Sequence, residues 1–180
     1  MNRPSNLIID ELTFGPNADR DQRSGSDLFI QAKDCNAASE TKGFEKFGEL
    51  HGFALYFINN VKKDTSNSAT TGGTISSGFV EIKVLSNIFA GELQKLGLSA
   101  KGIENITVVK TVIINNERKA VQELKLGQCN IVETIERLER CTKFKFSFNT
   151  LESVYHNYNK ASEKEGEFTY SYDVKTGEVK

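Results

Sequence analysis

TKFKFSFN, residues 142–149, places Phe144, Phe146 and Phe148 at every second position, with Lys145 and Ser147 between them. Successive side chains of a strand point to opposite faces, so the three rings share one face. No His, Cys or acid lies among them to do chemistry. The rings therefore read as core, with Lys143, Lys145 and Ser147 on the opposite face.

The same alternation recurs outward from this stretch. In FVEIKV (79–84), Val80, Ile82 and Val84 face one way, and Glu81 and Lys83 the other. In FTYSYDV (168–174), Phe168, Tyr170, Tyr172 and Val174 oppose Thr169, Ser171 and Asp173. HGFALYFINNV (51–61) is apolar on both faces, as a strand covered on two sides would be. ITVVKTVII (106–114) is β-branched at every position but Lys110. AVQELKL (120–126) follows after NNERK, which predicts a hairpin. CNIVETI (129–135) and KFKFSFNTLESVY (143–155) complete the strands. ETIERLER (133–140) also fits a helical face through Ile131, Ile135 and Leu138; its first half is read as strand and its second as turn.

One segment changes period. SNIFAGELQKLG (86–97) spaces Ile88, Phe89, Leu93 and Leu96 as a helix does, with Ser86 as N-cap and Gly97 just past the end. Two polar stretches punctuate the chain: GPNADRDQRSGSD (15–27) and the seventeen-residue KKDTSNSATTGGTISSG (62–78). Loops of that length inside a compact domain tend to be functional or disordered. The sum is about eight strands and one helix. The expected fold is mainly β: a small antiparallel barrel in one domain over 1–180, with an N-terminal extension of about 1–27 and a long polar loop at 62–78.

At 180 residues the chain is long enough for a real core. Its 38% hydrophobic and 26% charged residues are ordinary for a globular protein. A net charge of −1 lacks the basic surplus that nucleic acid or an anionic lipid surface requires. The opening Leu7 to Ile9 is too short for the apolar core of a signal peptide, and no stretch reaches membrane-spanning length. The expectation is synthesis in the cytoplasm, with any exit by a route that uses no cleaved signal. Cys35, Cys129 and Cys141 form no CxxC pair and read as buried or half-buried thiols.

Catalytic signals are weak. His51 and His156 sit in or beside strands without a Cys or acid at ligand spacing, so no metal or other cofactor is expected. Gly72-Gly73-Thr74 lacks the Lys that would make it a phosphate loop. Glu133, Glu136 and Glu139 interleave with Arg137 and Arg140 as a solvated or intersubunit face. Tyr155 and Tyr158 suit core or rim packing better than base stacking. If the chain were an enzyme, His51, His156 and Cys129 would be the first suspects. The profile favours a structural or binding role.

The last third, FKFSFNTLESVYHNYNKASEKEGEFTYSYDVKTGEV, resembles the end of the Hcp family, the tube proteins of bacterial type VI secretion systems. The shared order is an aromatic alternating strand (Phe144 to Phe148), a strand ending in an aromatic (Leu151 to Tyr155), a polar turn (Asn159 to Gly166) and a closing strand (Phe168 to Val174) with a basic tail. Upstream, the Gly-rich stretch, strand 79–84, helix 86–96 and the following hairpin keep the family's order, so the match spans roughly residues 44 to 180. The chain departs at the front, where about two dozen extra residues leave either Leu7 to Phe14 or Leu28 to Ala32 as the family's opening strand. It also lacks the Pro the family often has near the start of its helix.

The resemblance implies a β-barrel subunit that forms six-membered rings. The rings stack into a tube inside a contractile sheath and are expelled behind a spike protein, some carrying small effector proteins in the lumen. It implies no nucleic-acid partner, no membrane insertion and no cofactor, and secretion from the cell. On that reading Asp64, Thr65, Ser66, Asn67, Thr71, Gly72, Gly73 and Thr74 are candidates for the ring-stacking contact. A tail-tube protein of a contractile phage or injection particle shares the architecture. A ligand-binding β-barrel is the alternative of a different class.

Overall fold

The computed structural model describes residues 27–37, 39–61, 73–137 and 141–180. Along the chain run β1 (Leu28–Ala32), β2 (Gly48–Val61), β3 (Gly73–Leu85), helix α1 (Ile88–Leu98), β4 (Ile103–Ile114), β5 (Glu117–Arg137), β6 (Cys141–Ser147), β7 (Thr150–Tyr158), β8 (Lys164–Asp173) and β9 (Glu178–Val179). Six of the strands close on themselves, because the order β4-β1-β2-β3-β6-β5 is completed by pairing of β5 back onto β4. Each neighbouring pair around this barrel is antiparallel.

The turn chemistry matches the topology. β4 and β5 are joined through Asn115 and Asn116, whose positive φ angles of 51° and 62° are those of a two-residue hairpin turn. Asn tolerates this left-handed backbone better than any residue but Gly. β5 then runs past the barrel wall on one edge and meets two strands in succession on the other. Residues 130–137 pair with β6, and residues 122–127 pair with β7. β8 and β9 extend this second sheet outward from β7.

The interior is filled by the alternation already visible at residues 142–149. β6 is buried at every second residue, and Phe144 and Phe146 are 1% and 0% exposed. Val80, Ile82 and Val84 meet them from β3, with Ile30, Leu50, Ile106, Leu124, Leu126 and Leu151 from the other walls. α1 joins the end of β3 to the start of β4 and contributes Phe89, Ala90 and Leu93 to the same core. Past the far end of β6 the ring of Phe57 meets Phe148 and Tyr172 edge-on, at centroid distances of 6.1 and 5.9 Å. Phe29 points away from this interior and stacks on Phe44 at 4.3 Å, under the connection between β1 and β2.

Several boundaries differ from those read in the sequence. The polar stretch 62–78 is not loop throughout: residues 73–78 form the start of β3, paired with the end of β2 from Val61↔Gly73 to Phe57↔Gly78. A long hairpin hid here because Ser, Thr and Gly carry little strand signal and the partner's pairing overrides it. The strands expected at 120–126 and 129–135 are one continuous β5. Its positions 133–137 are strand, with no helix there. Conversely, 143–155 divides into β6 and β7 at Phe148–Asn149. The helix is capped by Asn87, whose side chain accepts from the N–H of Ala90, and it continues through Gly97 to a cap at Ser99. Ser86 instead lies 3.5 Å from the Thr142 hydroxyl. Gly97 lies within the helix, where a side chain would press on Ile131. Leu28 to Ala32 is the first strand of the barrel, and Leu7 to Phe14 lies outside the described residues.

Burying each of the three rings stabilises by roughly 1.5–3 kcal/mol. Phe146→Ala should therefore cost about 3–5 kcal/mol in chemical denaturation. A loss below about 1 kcal/mol would mean the ring is not in a packed interior. Gly78→Ala provides a second check on the far end of the barrel. A Cβ there would come within 2.4 Å of the Phe148 ring, so the substitution should destabilise by about 1–3 kcal/mol through overpacking.

Candidate functional site

The residues that would serve catalysis are scattered. His51 is exposed on β2, His156 lies half-buried on β7, and Cys129 is buried at the middle of β5. Burial pushes the Cys129 thiol up to about 12, and burial with the nearby Glu92 pushes Cys35 up to about 11. Raised thiol pKa values mean little thiolate and little nucleophilicity. Among the described residues no group of three His, Cys, Asp or Glu side chains is placed to hold a metal ion. No described helix is long and apolar enough to cross a membrane. A groove of about 400 Å³ opens beside β9 between Lys125, Thr150, Glu152, Asp173 and Lys180, and it is polar-rimmed and open to solvent. The apolar cavity a ligand-binding barrel would need is occupied by Phe144, Phe146 and their neighbours.

What the fold leaves unsatisfied is its edges. β8 pairs with β7 along its length, but its other edge is met only at Ser171, Tyr172 and Asp173, by β9 and the following Lys180, among the described residues. The outer edge of Lys164–Tyr170 faces no strand among the described residues. β2 pairs with β1 only at Gly48 and Glu49, so among the described residues its edge from Gly52 to Val61 also faces no strand. Each such edge presents backbone N–H and C=O groups able to accept another strand.

An apolar shelf adjoins the β8 edge. Tyr155 stands directly opposite Phe168, and Ser153 opposite Tyr170, so the three rings lie on one face. Their centroids are 6.2–6.4 Å apart. Phe168 is 64% exposed and Tyr155 40%. Farther along the same face Leu151 and Tyr172 are buried in the core, so the shelf is the barrel's inner face continued beyond the barrel. The sequence showed the alternation of 168–174 correctly. It did not show that its first half runs past the closed wall, because that depends on where β6 ends and β7 begins.

A second, half-buried surface covers the outside of β3 and β6. The Lys145 ammonium lies 5.3 Å from the Tyr56 ring and 4.9 Å from the Phe79 ring, and Tyr56 donates to Glu81 at 2.6 Å. Burial and that acceptor raise the Tyr56 hydroxyl well above its ordinary range. Glu133 and Glu136 are exposed on β5, and Gln94 of α1 donates to Glu136 at 3.0 Å, while Glu139 lies outside the described residues. Of the ring-stacking candidates, Gly73 and Thr74 open β3 opposite Val61 and Asn60. Asp64, Thr65, Ser66, Asn67, Thr71 and Gly72 lie outside the described residues.

A filled small barrel with one helix and open strand edges is a known class of fold, although the sequence itself finds no counterpart: no family model and no curated protein matches it. Solved structures share it. A type six secretion system protein superposes with a TM-score of 0.72 at 13% identity, over 86% of this chain and 99% of that one. Hcp1 from Salmonella typhimurium gives 0.64 at 13% identity, over 87% and 100%. The secreted protein Hcp3 from Pseudomonas aeruginosa gives 0.56 at 12% identity, over 81% and 96%. The chain thus has the Hcp barrel fold, as the order of its strands and helix had implied.

The thiol environments make one measurable statement. At pH 8, iodoacetamide should alkylate Cys129 in the folded chain at least about a hundredfold more slowly than in urea, since both access and thiolate fraction are reduced. Equal rates in the two states, read by peptide mass spectrometry, would restore Cys129 as a nucleophile.

Proposed function

We propose that this chain is a structural subunit of the inner tube of a type VI secretion system. Copies would associate into six-membered rings that stack within a contractile sheath and are expelled with a spike at the tip. The observation that carries the reading is the fold shared with a type six secretion system protein over 99% of that chain, joined to two strand edges, on β2 and β8, that have no strand partner among the described residues. A closed ring needs a head-to-tail contact between two different surfaces. The Lys164–Tyr170 edge of β8 and the outer edge of β2 are two such surfaces. Mating them removes both hazards at once and covers the shelf of Tyr155, Phe168 and Tyr170.

Stacking of one ring on the next requires an element that projects along the tube. The β2–β3 hairpin leads to residues 62–72, which hold Asp64, Thr65, Ser66, Asn67, Thr71 and Gly72. We assign the ring-to-ring contact to that connection, together with Gly73 and Thr74. Secretion without a cleaved signal and carriage of small effectors in the lumen follow from the same reading.

Light scattering should give about 120 kDa, six copies of the 20.1 kDa chain, and negative-stain images should show annular particles. A lone subunit at high concentration, with no annuli, would defeat the proposal. Phe168→Ser should leave folding stability within about 1 kcal/mol, because the ring is exposed, yet abolish the annuli. Deleting Thr65 to Gly72 should leave rings intact and prevent tubes; tubes that still form would place the stacking contact elsewhere.

A further inference from the structure

His156 lies between two carboxylates. Its Nε2 is 3.4 Å from Glu123 Oε1 on β5, and its Nδ1 is 3.3 Å from Glu167 Oε2 on β8. The side chain is 11% exposed, and Nδ1 is buried without a hydrogen-bond partner of good geometry among the described residues. A neutral imidazole carries one N–H, so one of the two carboxylates must then face a lone pair. An imidazolium carries two and can donate to both. The arrangement therefore suits the cation.

The surrounding charges point the same way. On β5, Lys125 pairs with Glu152 of β7 at 2.6 Å. On β8, Lys164 pairs with Glu167 and shares that carboxylate with His156. Tyr158 flanks the imidazole from β7, with ring centroids 6.5 Å apart. Three carboxylates (Glu123, Glu152 and Glu167) thus face two ammonium groups (Lys125 and Lys164), and the group is neutral only when His156 carries a proton. Lys164 holds the Glu167 carboxyl below its ordinary range, so Glu167 stays ionised while a histidine titrates.

Glu167 belongs to the stretch of β8 whose outer edge is open. We propose that His156 is a proton-operated staple that ties this free edge, through β7, to β5. The partner whose docking it regulates is a second copy of this chain. Protonated, it donates to Glu123 and Glu167 and holds Lys164–Tyr170 flat against β7. Deprotonated, it releases Glu167 and leaves two carboxylates with less counter-charge, so the edge loosens. The contribution is present while His156 carries its second proton and is lost when that proton leaves. Assembly through β8 is then favoured in mildly acidic solution; this last step rests on the tube-subunit reading, while the staple itself does not.

The test is amide hydrogen exchange on the full chain between pH 5.5 and 8, corrected for the intrinsic rate. It is run at a concentration where light scattering gives the same mass at both ends. Protection of peptides covering 164–170 should fall at least about threefold more than that of β6 peptides, and His156→Gln should flatten the difference. Glu123→Gln serves if the first variant does not fold, and it should shrink the pH effect. A pH response unchanged in a folded variant, or none in the wild type, overturns the staple. If the exchange effect is present but ring mass, read at higher concentration, does not follow pH, the link to assembly is overturned. If no rings form at any pH, the tube reading falls and the staple stands.

Discussion

The rest of the sheet depends on β5, a strand of 21 residues whose one edge must serve two strands in succession. Its first half, with β4, makes a hairpin that reaches past the barrel, and its second half closes the barrel against β6. Because β6 and β7 lie end to end along it, the sheet divides where Phe148 and Asn149 interrupt them. One branch turns inward through β6 to β3, and the other runs outward through β7 to β8. The closed interior and the exposed shelf are thus two consequences of one register. A slip of one residue would exchange the faces of Phe144, Phe146 and Phe148 with those of Lys143, Lys145 and Ser147, and would also turn Tyr155 and Phe168 over.

Much of this was legible because burial and alternation coincide. The rings of β6, the aliphatic row of β3 and the Asn115-Asn116 turn each speak for themselves in the chain, as does α1, whose Phe89 and Leu93 sit at helical spacing and fill the core. The errors fell where pairing, not composition, decides. Residues 73–78 look like linker yet are strand because β2 runs opposite them. Gly127 and Gln128 look like a break within β5, and Gln128 does take a positive φ of 53°, but the pairing of Gly127 and Cys129 with β4 carries the strand through.

The candidate site was less legible, for a reason of geometry. Phe168 belongs to the same alternating row as Tyr172, and nothing local says that one is buried and the other open. The difference is distance from the barrel wall, which is set by strands up to fifty residues away in the chain. His156 showed the same limit more sharply. Read along the chain it has no acid at useful spacing, yet Glu123 and Glu167 arrive from the two strands beside it. Cross-strand neighbours are the unit of interaction in a sheet, and sequence alone gives no list of them.

A small barrel whose interior is packed with aromatic and aliphatic side chains has no room inside for a ligand, and its chemistry must lie on its outside. Here the outside offers strand edges, which are liabilities for a soluble monomer and assets for a polymer. Edge pairing between copies uses backbone groups common to any sequence, which suits a fold kept at identities near 13%. Specificity must then come from side chains beside the edge. On β8 these are of two kinds on opposite faces: an apolar row that rewards contact, and a charged cluster around His156 that stiffens the strand. On the tube-subunit proposal, the first would set how strongly two copies hold, and the second whether the strand is ready to meet its partner.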